Sequence, residues 1–263
     1  MKKYEELTFT DDFMFCRIMQ YNEDICRDLV ELIIGKKIGE IISNDRQRPI
    51  EITPDGRGVR MDVYLEDDKD TVYNIEMQNA NLKDLPKRAR YYQSMIDVDM
   101  FERGGDYKEL KRSYIIFINT RDPFDKKLPV YTVKNQCLED SSVDCDDGVT
   151  KLFVNARSTC GIISDEMRAF LNYLSRGNAD STLTHRIDEK ILEAKQNAGW
   201  KGEFMTLYEH YQIEREEGRE IGDANRLVVS VDALIKSMKL SIEEACKVLN
   251  VSVQEYNEAK KLI

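Results

Sequence analysis

The chain has 263 residues, 41% of them hydrophobic and 33% charged, with a net charge of −10 at neutral pH. That length holds one large domain or two small ones; no apolar run nears the roughly 20 residues that span a bilayer, and the surplus of acid excludes a general nucleic-acid coating protein. Six scattered cysteines without a C-x-x-C pair read as free thiols of a reducing cytoplasm, and two histidines, His185 and His210, lack ligand-like neighbours, which leaves any chemistry to carboxylates.

No apolar h-region follows the two N-terminal lysines, so a secretory signal is not expected. Residues 9–34 read as helices, with Thr10 or Asp11 as an N-cap and Gly35 just past the end. An extended stretch follows, with a strand near Arg48–Thr53 closed by Pro54-Asp55-Gly56. Two alternating runs, Val59–Leu65 and Val72–Met77, flank a turn-prone EDDKD and predict a hairpin. The segment Leu85–Phe101 reads as a helix with Pro86 in its first turn and Gly104-Gly105 beyond its end. SYIIFINT suits a buried central strand, and PVYTVKNQC and TKLFVNAR suit two more around an acidic loop. From Ser164 the pattern is helical, charged and partly heptad-like, and Ser241 and Ser252 stand as N-caps, Ser241 with Glu244 as a capping box. The order is that of an α/β fold with a mixed sheet and a helical C-terminal region, divided by composition at 1–163, 164–225 and 226–263.

The hairpin carries the candidate chemistry. A register that keeps one face apolar pairs Leu65 with Tyr73, Val63 with Ile75 and Met61 with Met77. The other face then opposes Tyr64 to Asn74 and Asp62 to Glu76, with Gln78 one pleat further on. Directly opposed Cβ atoms lie about 4.5–5.5 Å apart, where like charges repel. Either that face is solvated, or a shared divalent cation with oxygen ligands resolves the repulsion.

The sequences RMDVYLED, YNIEMQ, KRARYYQSMIDVDMFERGGDYKELKRSYIIFINTRDPF and FTDDFMF together resemble the recombination-promoting nuclease and transposase family of PD-(D/E)XK type, over roughly residues 8–135. The resemblance implies a restriction-endonuclease-like core: a mixed central sheet flanked by helices. It implies a metal-dependent DNA endonuclease, linked to recombination or mobile elements, that uses Mg²⁺ or Mn²⁺. Asp62 and Glu76 then become metal ligands, the backbone carbonyl of Met77 a further one, and Glu31 on the first helical segment a fourth. Gln78 stands where Lys is usual; an amide can hydrogen-bond water or phosphate but cannot supply positive charge or take a proton.

Lys87, Arg88, Arg90, Tyr91 and Gln93 form the candidate DNA contact, as basic groups for phosphate with aromatic neighbours for bases. A solvated charged face explains the same residues. The acidic loop lacks the spacing of an EF-hand, and the helix-turn-helix rhythm of the tail has an acidic second helix, which fits helix packing or self-association of the chain better than DNA reading. The alternative function is an inactive PD-(D/E)XK fold that binds nucleic acid or protein.

Overall fold

The computed structural model describes residues 2–46, 49–50, 59–80, 83–101 and 104–263. Helices α1 (Asp12–Tyr21) and α2 (Glu23–Ile34) fall in the predicted helical segment. Asp11 is the N-cap of α1, and its carbonyl accepts from Phe15 N at 2.9 Å. Gly35 ends α2 at φ 72°, a left-handed conformation that glycine adopts without a Cβ clash, and its N–H returns to Glu31 O.

The strands are β1 (Ile41–Arg46), β2 (Pro49–Ile50), β3 (Val59–Arg60), β4 (Val63–Asp67), β5 (Thr71–Gln78), β6 (Arg112–Asn119), β7 (Val130–Val133) and β8 (Val149–Asn155). Of the strand expected near Arg48–Thr53, Pro49 and Ile50 pair with β3, while Arg48, residues 51–53 and the turn at 54–56 lie outside the described residues. Among the described residues a six-stranded sheet runs β1-β4-β5-β6-β8-β7. The neighbours β5, β6 and β8 are parallel and the other pairs antiparallel, which makes the sheet mixed. Helix α3 (Leu85–Met100), with Pro86 in its first turn, is the crossover between β5 and β6, as parallel strands require.

The predicted hairpin register holds for Leu65 with Tyr73, Tyr64 with Asn74 and Val63 with Ile75, and the ladder ends there. Asp62 occupies a bend between β3 and β4. The bend breaks the alternation, and Met61 joins Tyr64 and Val72 in the cluster beneath α3. Both faces of β5 are buried; the face expected to be polar is covered by α3. Leu85, Ala89, Tyr92, Met95 and Ile96 of that helix meet Tyr64, Val72, Ile115, Phe117 and Phe153. Each large side chain buried there contributes about 1.5–3 kcal/mol, and several of them together outweigh the polar groups interred beside them.

Helices α4 (Asp165–Arg176) and α5 (Thr182–Gln196) belong to the same compact unit as the sheet, residues 1–198. Tyr4 Oη donates to Ala194 O at 2.6 Å, and Arg186 on α5 donates to Asp24 and Asp28 of α2 at 2.5 Å each. These contacts place α5 with the helices around the sheet. Composition suggests breaks at 163 and 225; the compact units divide after Ala198.

The second unit, residues 199–263, holds nearly all of α6 (Ala198–Met238) with α7 (Ile242–Val248) and α8 (Val253–Leu262). Its core is Ala224, Val228, Val231, Ala245, Cys246, Tyr256 and Ala259. Ser241 with Glu244 and Ser252 with Glu255 form capping boxes. No described helix is long and apolar enough to cross a membrane.

Candidate active site

The open end of the β4–β5 hairpin brings Asp62 and Glu76 together through the backbone. Asp62 N donates to Glu76 Oε1 at 3.1 Å, and Met77 N donates to Asp62 Oδ2 at 3.0 Å. The acids are therefore laced to each other's strands, although Asp62 lies one residue beyond the ladder and is not a paired position. The Asn74 amide, with its nitrogen toward Glu76, donates to Glu76 Oε1 at 3.0 Å and to Val63 O at 3.3 Å. Glu76 is buried, and Asp62 is half-buried.

Burial and then the charge of Asp12 push the Asp62 carboxyl up to about 7. Burial and then the charge of Asp62 hold Glu76 well above the usual carboxylate range. Tyr92, on the adjoining helix, is also raised, by burial and then by Glu76. Buried acids that push one another's pKa upward are characteristic of functional sites, and a cation among them relieves the repulsion.

Helix α1 adds two residues that the sequence did not single out. Asp12, at the first position of α1, faces Asp62 and, after burial, raises its pKa, and one donor atom each from Asp12, Cys16 and Asp62 lie within 4.8 Å of one another. Glu76 stands beside Asp62 but outside that trio. Glu31 is not brought to the site. Its carboxylate accepts from Lys37 Nζ at 2.5 Å and from Ile38 N at 3.1 Å, and it lines a cleft with Asp28, Lys37 and Arg186. The acid that stands beside Asp62 is on α1, which packs against β1 and β4, whereas α2 packs against β1.

Gln78 ends β5, half-buried. Its Nε2 donates to Ala80 O at 3.2 Å, and its Oε1 accepts from Arg88 Nη1 at 3.0 Å. Arg88 also donates to Tyr92 Oη at 2.9 Å and lies over the Tyr92 and Phe117 rings, 5.5 and 5.7 Å from their centroids. A fixed positive charge thus adjoins the amide that carries none. Lys87, Arg90 and Tyr91 are exposed on α3. Gln93 faces inward: it is 6% exposed, donates to Asp97 Oδ1 and accepts from Ser113 Oγ, each at 2.8 Å. It sits one helical turn from Ala89 and Ile96, on the face that covers the sheet, and is turned away from the exposed Lys87, Arg90 and Tyr91.

The donor set suits a divalent cation. Asp12, Asp62 and Glu76 supply hard carboxylate oxygens, and one oxygen of Asp62 and one of Glu76 are already fixed by backbone amides, which restricts the rotation of both carboxylates. No curated protein and no solved structure matches the chain. Residues 9–144, from α1 through the hairpin, α3 and β6 to β7, match the model of the PD-(D/E)XK nuclease family transposases, and the chain belongs to that family.

Proposed function

We propose that the chain is a divalent-cation-dependent DNA endonuclease that hydrolyses phosphodiester bonds, in a reducing cytoplasm and in the service of recombination or mobile elements. The observation that supports this reading is the pair of carboxylates, Asp62 and Glu76, each accepting a backbone N–H from the other's strand, with Asp12 beside them. Asp62, Glu76 and Asp12 would hold Mg²⁺ or Mn²⁺, with the Met77 carbonyl as the backbone ligand. A bound cation lowers the pKa of water and offsets the charge that develops on phosphate.

The remaining work falls to this chain's own groups. Gln78, pinned by Arg88 and Ala80, presents an amide that orients the attacking water or the phosphate. Arg88 supplies beside it the positive charge that a lysine at position 78 would have carried. Lys87 and Arg90 meet the flanking backbone phosphates, and exposed Tyr91 offers a ring to a base.

The test is nicking of supercoiled plasmid with Mg²⁺ or Mn²⁺ by wild type, Asp62→Ala and Glu76→Ala. Each variant should lose about 100-fold or more, on the scale of removing one transition-state-stabilising group. Equal rates in all three would refute the site. The amide at position 78 favours one second reading, a binding module without turnover, which the absence of cleavage by wild type with either cation would support.

A further inference from the structure

Cys16 is the group at this site that an all-oxygen nuclease centre does not need. It lies one turn after Asp12 on α1, where residues four apart share a face, and its Sγ is 3.9 Å from Asp12 Oδ1. It is only 4% exposed, yet its sulfur is directed at the carboxylates of Asp12 and Asp62 and joins them within the 4.8 Å trio. Buried cysteines ordinarily behave as small apolar residues. Two acids converging on this thiol give it a different setting from Cys26, which is buried among the apolar residues of α2.

We propose that Asp12, Cys16 and Asp62 form a mixed oxygen–sulfur site that takes a thiophilic divalent cation, of the Zn²⁺, Co²⁺ or Cd²⁺ class, in preference to Mg²⁺. This rests on the reading of Asp62 as a metal ligand and adds, on the Cys16 side of that shared carboxylate, a site for a second class of cation beside the Mg²⁺ or Mn²⁺ held with Glu76. Bond lengths of about 2.0–2.2 Å to oxygen and about 2.3 Å to sulfur place tetrahedral donors about 3.3–3.8 Å apart. The trio's spread of at most 4.8 Å closes to that separation by rotation of Asp12, an exposed side chain at a helix start. A thiolate selects borderline and soft cations, whereas carboxylates alone serve Mg²⁺. On binding, the S–H bond of Cys16 breaks, a sulfur–metal bond forms and the proton leaves to solvent. Such a cation also occupies Asp62, so it either supports cleavage itself or displaces Mg²⁺ from the shared carboxylate.

The experiment titrates the full chain, stripped of metal, with Co²⁺ and follows the near-ultraviolet thiolate-to-cobalt charge-transfer band. Wild type should develop the band; Cys16→Ser and Asp62→Asn should lose it, and a variant with Cys137, Cys145 and Cys160, which lie outside the core, all changed to Ser should keep it. By calorimetry, Zn²⁺ affinity should fall at least about tenfold in Cys16→Ser, the lower end of what losing even an indirect support of a ligand costs. Should Cys16→Ser fail to fold, cadmium NMR of wild type decides, because sulfur and all-oxygen coordination resonate far apart. No band in wild type, a band that survives Cys16→Ser, or an all-oxygen cadmium signal would overturn the proposal. The outcomes separate the two readings: Mg²⁺-dependent nicking without a cobalt band refutes only the thiolate, and a band without nicking by any cation refutes only the endonuclease.

Discussion

Asp62 binds its proton more tightly in the folded chain than in the unfolded one, because burial and then Asp12 disfavour its charge. Its ordinary value of 3.8 rises to about 7, so the folded state holds more protons between those limits and loses stability as pH rises through them. Below 3.8 that contribution is fully present; above 7 it is gone. Thermal unfolding in chelator should show it as a difference, with wild type losing stability relative to Asp62→Asn from about pH 4 to 7, at no more than about 1.4 kcal/mol per pH unit. A flat difference would mean that Asp62 titrates normally. Glu76 makes the same point without a titration. Its carboxyl is raised by burial and by Asp62, so an amide of nearly equal shape removes a like-charge conflict while retaining a hydrogen-bonding oxygen for Asp62 N. In chelator, with the pH raised until the carboxyl ionises, Glu76→Gln should melt higher than wild type by roughly 2–4 °C per kcal/mol relieved, even as plasmid nicking with Mg²⁺ falls about 100-fold. A lower melting temperature would show that the ionised carboxyl is stabilising.

The elements differ in how far the sequence revealed them. Alternation in β4 and β5 fixed their pairing because each strand carries a period of two over at least five residues, and the structure keeps Val63 opposite Ile75. The same alternation mispredicted Met61, because a bend at Asp62 has no signature in apolar spacing; it turns Met61 into the α3 core and leaves Asp62 facing α1. Asp12 and Cys16 were legible as one face of a helix, but nothing local tells which strand that face meets. Glu31 was equally placed on paper, and Lys37 and the Ile38 amide hold it elsewhere. On α3 the inward residues were obscured by the polarity of Gln93, whose partners Asp97 and Ser113 lie four and twenty positions away. That helix gives a sorted prediction. Lys87→Ala and Arg90→Ala should each weaken DNA binding and lower the salt slope of log affinity by about 1, with stability unchanged. Gln93→Ala should cost about 1–3 kcal/mol of stability, because it leaves Ser113 Oγ and Asp97 without their partner, and should leave the salt slope as it was. Urea denaturation and a salt titration of binding check both halves.

Across the whole molecule, stability is distributed unevenly along α6. From Ala224 onward the helix contributes to the core of the second unit, with Tyr256 Oη donating to Asp232 Oδ1 at 2.6 Å. From Tyr211 to Asp223 every residue is exposed except half-buried Gln212, and the ion pairs there, such as Arg219–Glu216, are of the surface i,i+3 kind worth a few tenths of a kcal/mol. Gly218 and Gly222 fall inside this stretch, each costing about 0.5–1 kcal/mol relative to alanine in a helix interior. A Cβ added at either position meets nothing within 4 Å. Few buried contacts and two glycines make this the part of the helix that opens most easily. Limited trypsin digestion of the full chain should therefore cut first at Arg215 or Arg219, well before the arginines of α4 and α5. The doubly substituted Gly218→Ala, Gly222→Ala chain should resist that cut about tenfold or more, since roughly 1–2 kcal/mol of added helix stability lowers the open population by that order when opening is fast. Protection of Arg215 and Arg219 in wild type that vanishes on dilution would instead reveal the self-association that the heptad-like sequence suggested, with the exposed stretch covered by a second copy of the chain.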